Sequence, residues 1–176
     1  MLKKELLIRF IQHLLSSFLF DIPIFSIIKM SILRSFFKIG KNSYVSYRTI
    51  MFAPHNSHTS YFEIGENVGI EHDCDLDYSG GIIIKNNVWI SEKVIITTHQ
   101  HDVINPMLKK KQEIKFSKLI LEDDAWIGAG AIILSSVNRI GKGAVIGAGS
   151  VVRSNVNDFE IVMGNPAQLV GKRFKY

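Results

Sequence analysis

A large aliphatic residue returns at every sixth position along much of this chain. The series runs Ile64, Ile70, Leu76, then Ile84, Ile90, Ile96, then Leu121, Ile127, Ile133, and finally Ile140, Ile146, Val152. Four residues after most of these anchors stands a small or short aliphatic side chain: Val68, Cys74, Val88, Val94, Ala125, Ala131, Val137, Ala144, Ser150 and Val156. Helices repeat near 3.6 residues and strands at 2, so neither produces a period of six. A solenoid does, because each six-residue side of a coil turns one large residue into a narrow core with a small one beside it.

The interruptions of the period are as informative as the period. Coils begin at Ile39-Gly40-Lys41-Asn42-Ser43-Tyr44 and continue through Val45. From Met51 to Tyr61 the pattern lapses, and Pro54, His55, Asn56 and His58 make that stretch a predicted loop. Between Leu76 and Ile84 the step is eight, and Gly80-Gly81 can absorb the extra residues in a bulged corner. After Thr98 the period stops until Leu119; Pro106 and Lys109-Lys110-Lys111 mark a solvated loop protruding near residues 102–118. The step of seven from Ile133 to Ile140 predicts a single-residue bulge near Asn138-Arg139. Gly164-Asn165-Pro166-Ala167 is expected to turn the chain off the solenoid into a short basic tail.

Residues 1–38 differ in kind from residues 39–176. The run from Leu6 to Phe37 is rich in Leu, Ile and Phe, and Pro23 after Asp21-Ile22 divides it into two predicted helices. Charged residues interrupt every stretch long enough to cross a bilayer, and no small-residue cleavage site follows, so neither a transmembrane helix nor a cleaved signal peptide is expected. Two roles stay open: a helical cap over the first coil that packs on a neighbouring subunit, or an amphipathic segment resting on a membrane surface.

Charge sharpens that choice. Residues 1–41 hold seven basic and two acidic side chains, and the remaining chain holds 14 of each, so the net +5 belongs to the N-terminal segment. No basic stripe interleaved with aromatics follows the repeat, which argues against nucleic acid as a partner. The length fits one domain with an appended segment. A single cysteine excludes an internal disulfide and suits a reducing cytoplasm; Cys74 occupies a small-residue core position.

Two hexads, Ile127-Gly128-Ala129-Gly130-Ala131-Ile132 and Ile146-Gly147-Ala148-Gly149-Ser150-Val151, together with the ending Gly164-Asn165-Pro166-Ala167, resemble the hexapeptide-repeat acyltransferases. The chain is most similar to the galactoside, maltose and exopolysaccharide O-acetyltransferase group, over about residues 39–173. The resemblance implies an all-β, left-handed parallel β-helix, a homotrimer with active sites between subunits, and acetyl-CoA as donor. It also implies a catalytic histidine just before the loop that leaves the coil. In Ile96-Thr97-Thr98-His99-Gln100-His101-Asp102 the matching position is His101, with His99 as a substrate-binding residue or a competing base. Asp102 is expected to position or anchor the loop. Imidazole suits the task, since its pKa near 6.5 leaves it mostly neutral at physiological pH.

The acidic run Glu71-His72-Asp73-Cys74-Asp75-Leu76-Asp77 is expected to supply the opposite wall, with Asp77 and Glu71 as acceptor-binding residues. Relatives carry asparagine where Glu71 aligns, a departure that leaves the sugar open. Donor contacts implied by the resemblance are Trp126, Gly128, Ala129, Ala148, Arg153, Ser154 and Lys172 or Arg173; corner geometry alone accounts equally well for the glycines and alanines.

The leading expectation is O-acetylation of a sugar during surface polysaccharide or glycan synthesis, in the cytoplasm or at the inner face of a membrane. N-acetylation of an amino sugar, free or nucleotide-linked, is the near alternative. Zinc-dependent carbonic anhydrases share the solenoid, but His72, His99 and His101 match their spacing poorly and no metal is expected. A non-catalytic scaffold would not need a histidine-bearing coil break, and an ice-binding face would need ranks of threonine that are missing.

Overall fold

The computed structural model describes residues 2–55, 58–102, 104, 106–108 and 112–173. It is a three-sided parallel β-helix, left-handed as the resemblance implies. One side stacks β1 (Lys38–Ile39), β4 (Phe62–Ile64), β7 (Ile82–Ile84), β12 (Leu119–Leu121) and β15 (Arg139–Ile140). A second stacks β2 (Tyr44–Val45), β5 (Gly69–Ile70), β8 (Trp89–Ile90), β13 (Trp126–Ile127), β16 (Val145–Ile146) and β18 (Glu160–Gly164). The third stacks β3 (Ile50–Phe52), β6 (Asp75–Asp77), β9 (Ile95–Ile96), β14 (Ile132–Ile133) and β17 (Val151–Val152).

The six-residue anchors become three ladders through the middle of this prism. Ile64, Ile84, Leu121 and Ile140 lie in register on the first side, and Val45, Ile70, Ile90, Ile127, Ile146 and Val162 on the second. Met51, Leu76, Ile96, Ile133 and Val152 form the third. All are buried. Each such side chain contributes about 1.5–3 kcal/mol when fully withdrawn from water.

Corners are set by residues that accept a left-handed backbone. Asn42, Asn67, Asn87, Asp124 and Gly143 hold one corner in successive coils with φ between 56° and 62°. Asn and Asp tolerate that region better than other side chains. The three amides also chain together, Asn42 Nδ2 donating to Asn67 Oδ1 and Asn67 Nδ2 to Asn87 Oδ1, each at 3.2 Å. The longer step after Leu76 is absorbed as expected, with Gly81 at φ +97° beside the Tyr61 ring.

Three expectations need correction. The segment from Met51 does not begin as loop: Ile50–Phe52 is a strand, and Met51 is the first anchor of the third ladder. The excursion near 102–118 is partly a β-hairpin, in which β10 (His99–His101) pairs antiparallel with β11 (Ile114–Phe116). Lys109, Lys110 and Lys111 lie outside the described residues. The C-terminal stretch does not leave the solenoid, because β19 (Ala167–Lys172) folds back antiparallel on β18 and widens the second side.

At the other end, α1 (Leu2–Leu14) and α2 (Pro23–Arg34) flank a short 3-10 helix, Phe18–Asp21, with the break at Pro23 where the sequence places it. Ile8, Met30, Leu33 and Phe37 join the core of the coil. Gln12 completes the seal: its amide accepts from the Met51 N–H and donates to the Met51 carbonyl, both at 2.8 Å. A side-chain amide thus takes the place of a further strand along the edge at β3.

Candidate active site

The third side of the prism carries a buried carboxylate and the coil-break histidines to one place. Strand β6 ends at Asp77, and the next coil leaves the prism at β10, so Asp77 comes to lie beneath His99. The Asp77 carboxylate is 2% exposed. Its Oδ1 accepts from the Ser79 N–H at 2.9 Å and the Ser79 hydroxyl at 2.6 Å. Its Oδ2 accepts from the Thr98 N–H at 3.0 Å and meets His99 Nδ1 at 2.6 Å. Burial opposes ionisation of Asp77, yet the bonds from Ser79, Thr98 and His99 outweigh it and hold the carboxyl below the usual range. An ionised Asp77 requires His99 to donate from Nδ1, which leaves the Nε2 lone pair for chemistry.

His101 lies two residues further along the same strand, its ring centroid 5.8 Å from that of His99. Its Nδ1 is buried with no hydrogen-bond partner among the described residues. Beside both stands His55, 4.5 Å from the His99 ring and 5.6 Å from the His101 ring. The His55 N–H bonds Ser79 Oγ at 3.3 Å, so the same hydroxyl ties this segment to Asp77. His55 was not among the expected site residues. Its signal lies in the register: Phe52 pairs with Asp77 and Leu76 with Ile96, so the chain leaving β3 lies over the coil that ends at His99.

Asp77 therefore differs from the expectation of an acceptor-binding carboxylate. It is buried, both oxygens are engaged, and it orients an imidazole. The remaining acidic run does not form one wall either. Glu71 accepts a short hydrogen bond from the Tyr44 hydroxyl. Asp73 is gripped by Arg48, Nε to Oδ1 at 2.6 Å and Nη2 to Oδ2 at 2.7 Å, which holds its pKa at about 2. Asp75 is exposed on the outer face of β6, lining a cavity of about 630 Å³ with Arg9, Gln12, His13 and Arg48. Asp102 accepts from the Ile104 N–H at 3.2 Å, as a loop-anchoring group would.

The expected donor contacts are spread around the prism. Trp126, on β13, is 51% exposed, and its indole N–H donates to Ser91 Oγ at 3.1 Å. It lies in register with Trp89 on the outer face of the second side. Gly128 is explained by stacking, because a Cβ there would lie 2.6 Å from the Ile146 carbonyl oxygen. Ala129 is half-buried, whereas Ala148, Arg153, Ser154 and Lys172 are exposed. Arg173 is tied down by the Asp124 and Gly143 carbonyls, each at 3.2 Å. Within one chain Trp126 lies on the second side, whereas the histidines follow the third.

No family model matches the sequence. Over 145 residues the chain is 31% identical to a galactoside O-acetyltransferase of Lactococcus lactis, an alignment covering 82% of this chain and 67% of the relative. This chain is a hexapeptide-repeat acetyltransferase. A crystal structure of a maltose O-acetyltransferase from Clostridium difficile superposes with a TM-score of 0.81 at 26% identity, covering 99% of the acetyltransferase described above and 88% of that chain. A mutant N-acyltransferase from Bacillus cereus shares the fold, with a TM-score of 0.64 at 24% identity over 84% of the acetyltransferase and 90% of that chain. That protein was solved in complex with dTDP-4-amino-4,6-dideoxyglucose and coenzyme A.

Proposed function

We propose that this acetyltransferase moves an acetyl group from acetyl-CoA to a sugar hydroxyl in glycan or surface polysaccharide synthesis, with His101 as general base. The observation that carries this reading is the imidazole pair at the coil break, backed by the buried Asp77 carboxylate. His101 removes the acceptor proton as the hydroxyl oxygen attacks the thioester carbonyl. The tetrahedral intermediate then collapses, the carbon–sulfur bond breaks, and the imidazolium returns its proton to the CoA sulfur. No acyl-enzyme forms, which agrees with a lone Cys74 whose thiol burial pushes up to about 11. General-base assistance of this kind is worth about 10²–10⁴ in rate.

One observation favours a second reading, with His99 as the base. Asp77 fixes its tautomer, the arrangement that orients an imidazole in acid–base catalysis. In both readings the donor lies along Trp126 of a neighbouring subunit in a homotrimer, since the histidines and Trp126 face from different sides of one chain. An amino-sugar acceptor would use the same machinery, with the amine as nucleophile. The test follows CoA release from acetyl-CoA across sugars, amino sugars, nucleotide sugars and lipid-linked glycans. Acceptor-dependent release that falls 10²-fold or more in His101→Ala and less in His99→Ala is the expected result. The reverse order assigns the base to His99.

The helices suggest where the acceptor is met. Phe10, Leu14, Ile24, Ile27 and Ile28 are exposed on helices that otherwise cap the coil, in the segment holding the net positive charge. Among the described residues no helix is long and apolar enough to cross a membrane. Such a face is suited to lying on an anionic membrane surface, which would bring a lipid-linked glycan to the enzyme. Flotation with anionic vesicles checks this, and Ile24→Glu/Ile27→Glu should reduce it severalfold.

A further inference from the structure

The three histidines at the coil break have a capacity that acetyl transfer does not use. Each of His55, His99 and His101 offers a ring nitrogen, and these atoms lie within 4.8 Å of one another. A tetrahedral zinc site with nitrogens about 2.0–2.1 Å from the metal needs spacings of about 3.3 Å, so small side-chain rotations close the set. Three neutral imidazoles with a position left open to solvent form a donor set that zinc favours.

A second feature is independent of the spacing. Ligating histidines characteristically donate their other ring N–H to a carboxylate, which fixes the ring and raises its basicity as a ligand. Asp77 does this for His99 through Nδ1, and is itself held by Ser79 and Thr98. Nε2 is the nitrogen His99 has left to offer. His101 Nδ1 is buried without a partner among the described residues, and coordination is one way such an atom is satisfied. His72, on the neighbouring coil, is engaged elsewhere, bonding Asp73 at 3.0 Å and stacking on Tyr47.

We infer that His55, His99 and His101 bind one divalent transition-metal ion such as Zn²⁺, and that its occupancy switches acetyl transfer off. The switch rests on the reading that one of the two hairpin histidines is the base. A metal that takes the imidazole lone pair leaves no acceptor for the hydroxyl proton. Binding and inhibition thus share a site, while the metal needs one ligand, His55, to which the transfer reaction assigns no role.

The experiment treats the full chain with chelator, then titrates Zn²⁺ against a chromogenic competitor and records the visible spectrum with Co²⁺. One equivalent per chain and the intense bands of tetrahedral cobalt are expected. His55→Ala and His55→Gln should each weaken binding at least tenfold, Asp77→Asn by about 10–100-fold, and His72→Ala not at all. On the same samples, acetylated product formed with a fixed acceptor should fall at least tenfold on zinc loading and return with chelator. Wild-type binding no tighter than that of both His55 variants overturns the site. Binding without loss of transfer overturns the switch. Transfer by chelated enzyme that never binds zinc overturns the metal inference alone and leaves the acetyltransferase reading standing. Zinc binding with no transfer to any acceptor does the opposite.

Discussion

At the residue scale Asp77 has the most to decide. With His101 as the base, Asp77→Asn disturbs a neighbouring ring, and kcat should fall by about tenfold or less. With His99 as the base, the loss should approach the 10²–10⁴ that general-base assistance is worth. The same substitution has a signature in stability. The Asp77 pKa lies below its unfolded value, so its contribution is complete above about pH 4 and is lost as pH falls through the lower native value. Tm measured from pH 6 down to pH 2.5 should therefore drop more steeply in wild type than in Asp77→Asn. Parallel curves would mean that folding does not lower the Asp77 pKa.

At the scale of elements, the solenoid was legible because one rule repeats: a large anchor, a small partner, and a corner residue that tolerates positive φ. The same rule hid whatever departs from it. Met51 reads as an irregular residue, since its coil breaks directly after it, yet it pairs with Leu76 as an anchor. His55 lies in that break and enters the site only when the coils are stacked. Sequence spacing singles out Asp77 but does not reveal that its oxygens turn inward to Ser79, Thr98 and His99. Gln12 was missed altogether, its task being to pair with an edge 39 residues away. Gln12→Leu keeps the volume and leaves two buried backbone groups of Met51 unpaired. A loss of about 1–3 kcal/mol or more in urea unfolding is expected, from the cost of each unsatisfied group. A change under 0.5 kcal/mol would show that water replaces the amide.

For the whole molecule, the decisive relation is between two sides of the prism. The histidines project where the third side ends in the hairpin, and Trp126 projects from the second. A site that needs both must draw them from different chains, which closed cyclic symmetry supplies at every interface. This makes a prediction about mixtures. If the proposed homotrimer holds, His101→Ala assemblies lack the proposed base, and Trp126→Glu assemblies place a carboxylate where the donor's pantetheine arm is proposed to lie. Both should be nearly inactive. When the two are co-expressed or unfolded and refolded together at equal ratio, each interface draws its histidine and its tryptophan independently. About one quarter of sites then carry both native residues, so activity should return to about 25% of wild type. The same preparations mixed without subunit exchange should stay inactive. If the two substitutions never complement, each chain builds its own site and the donor reaches His101 without crossing a subunit boundary. Partial recovery that follows the binomial ratio as the mixture is varied would count the subunits that share each site.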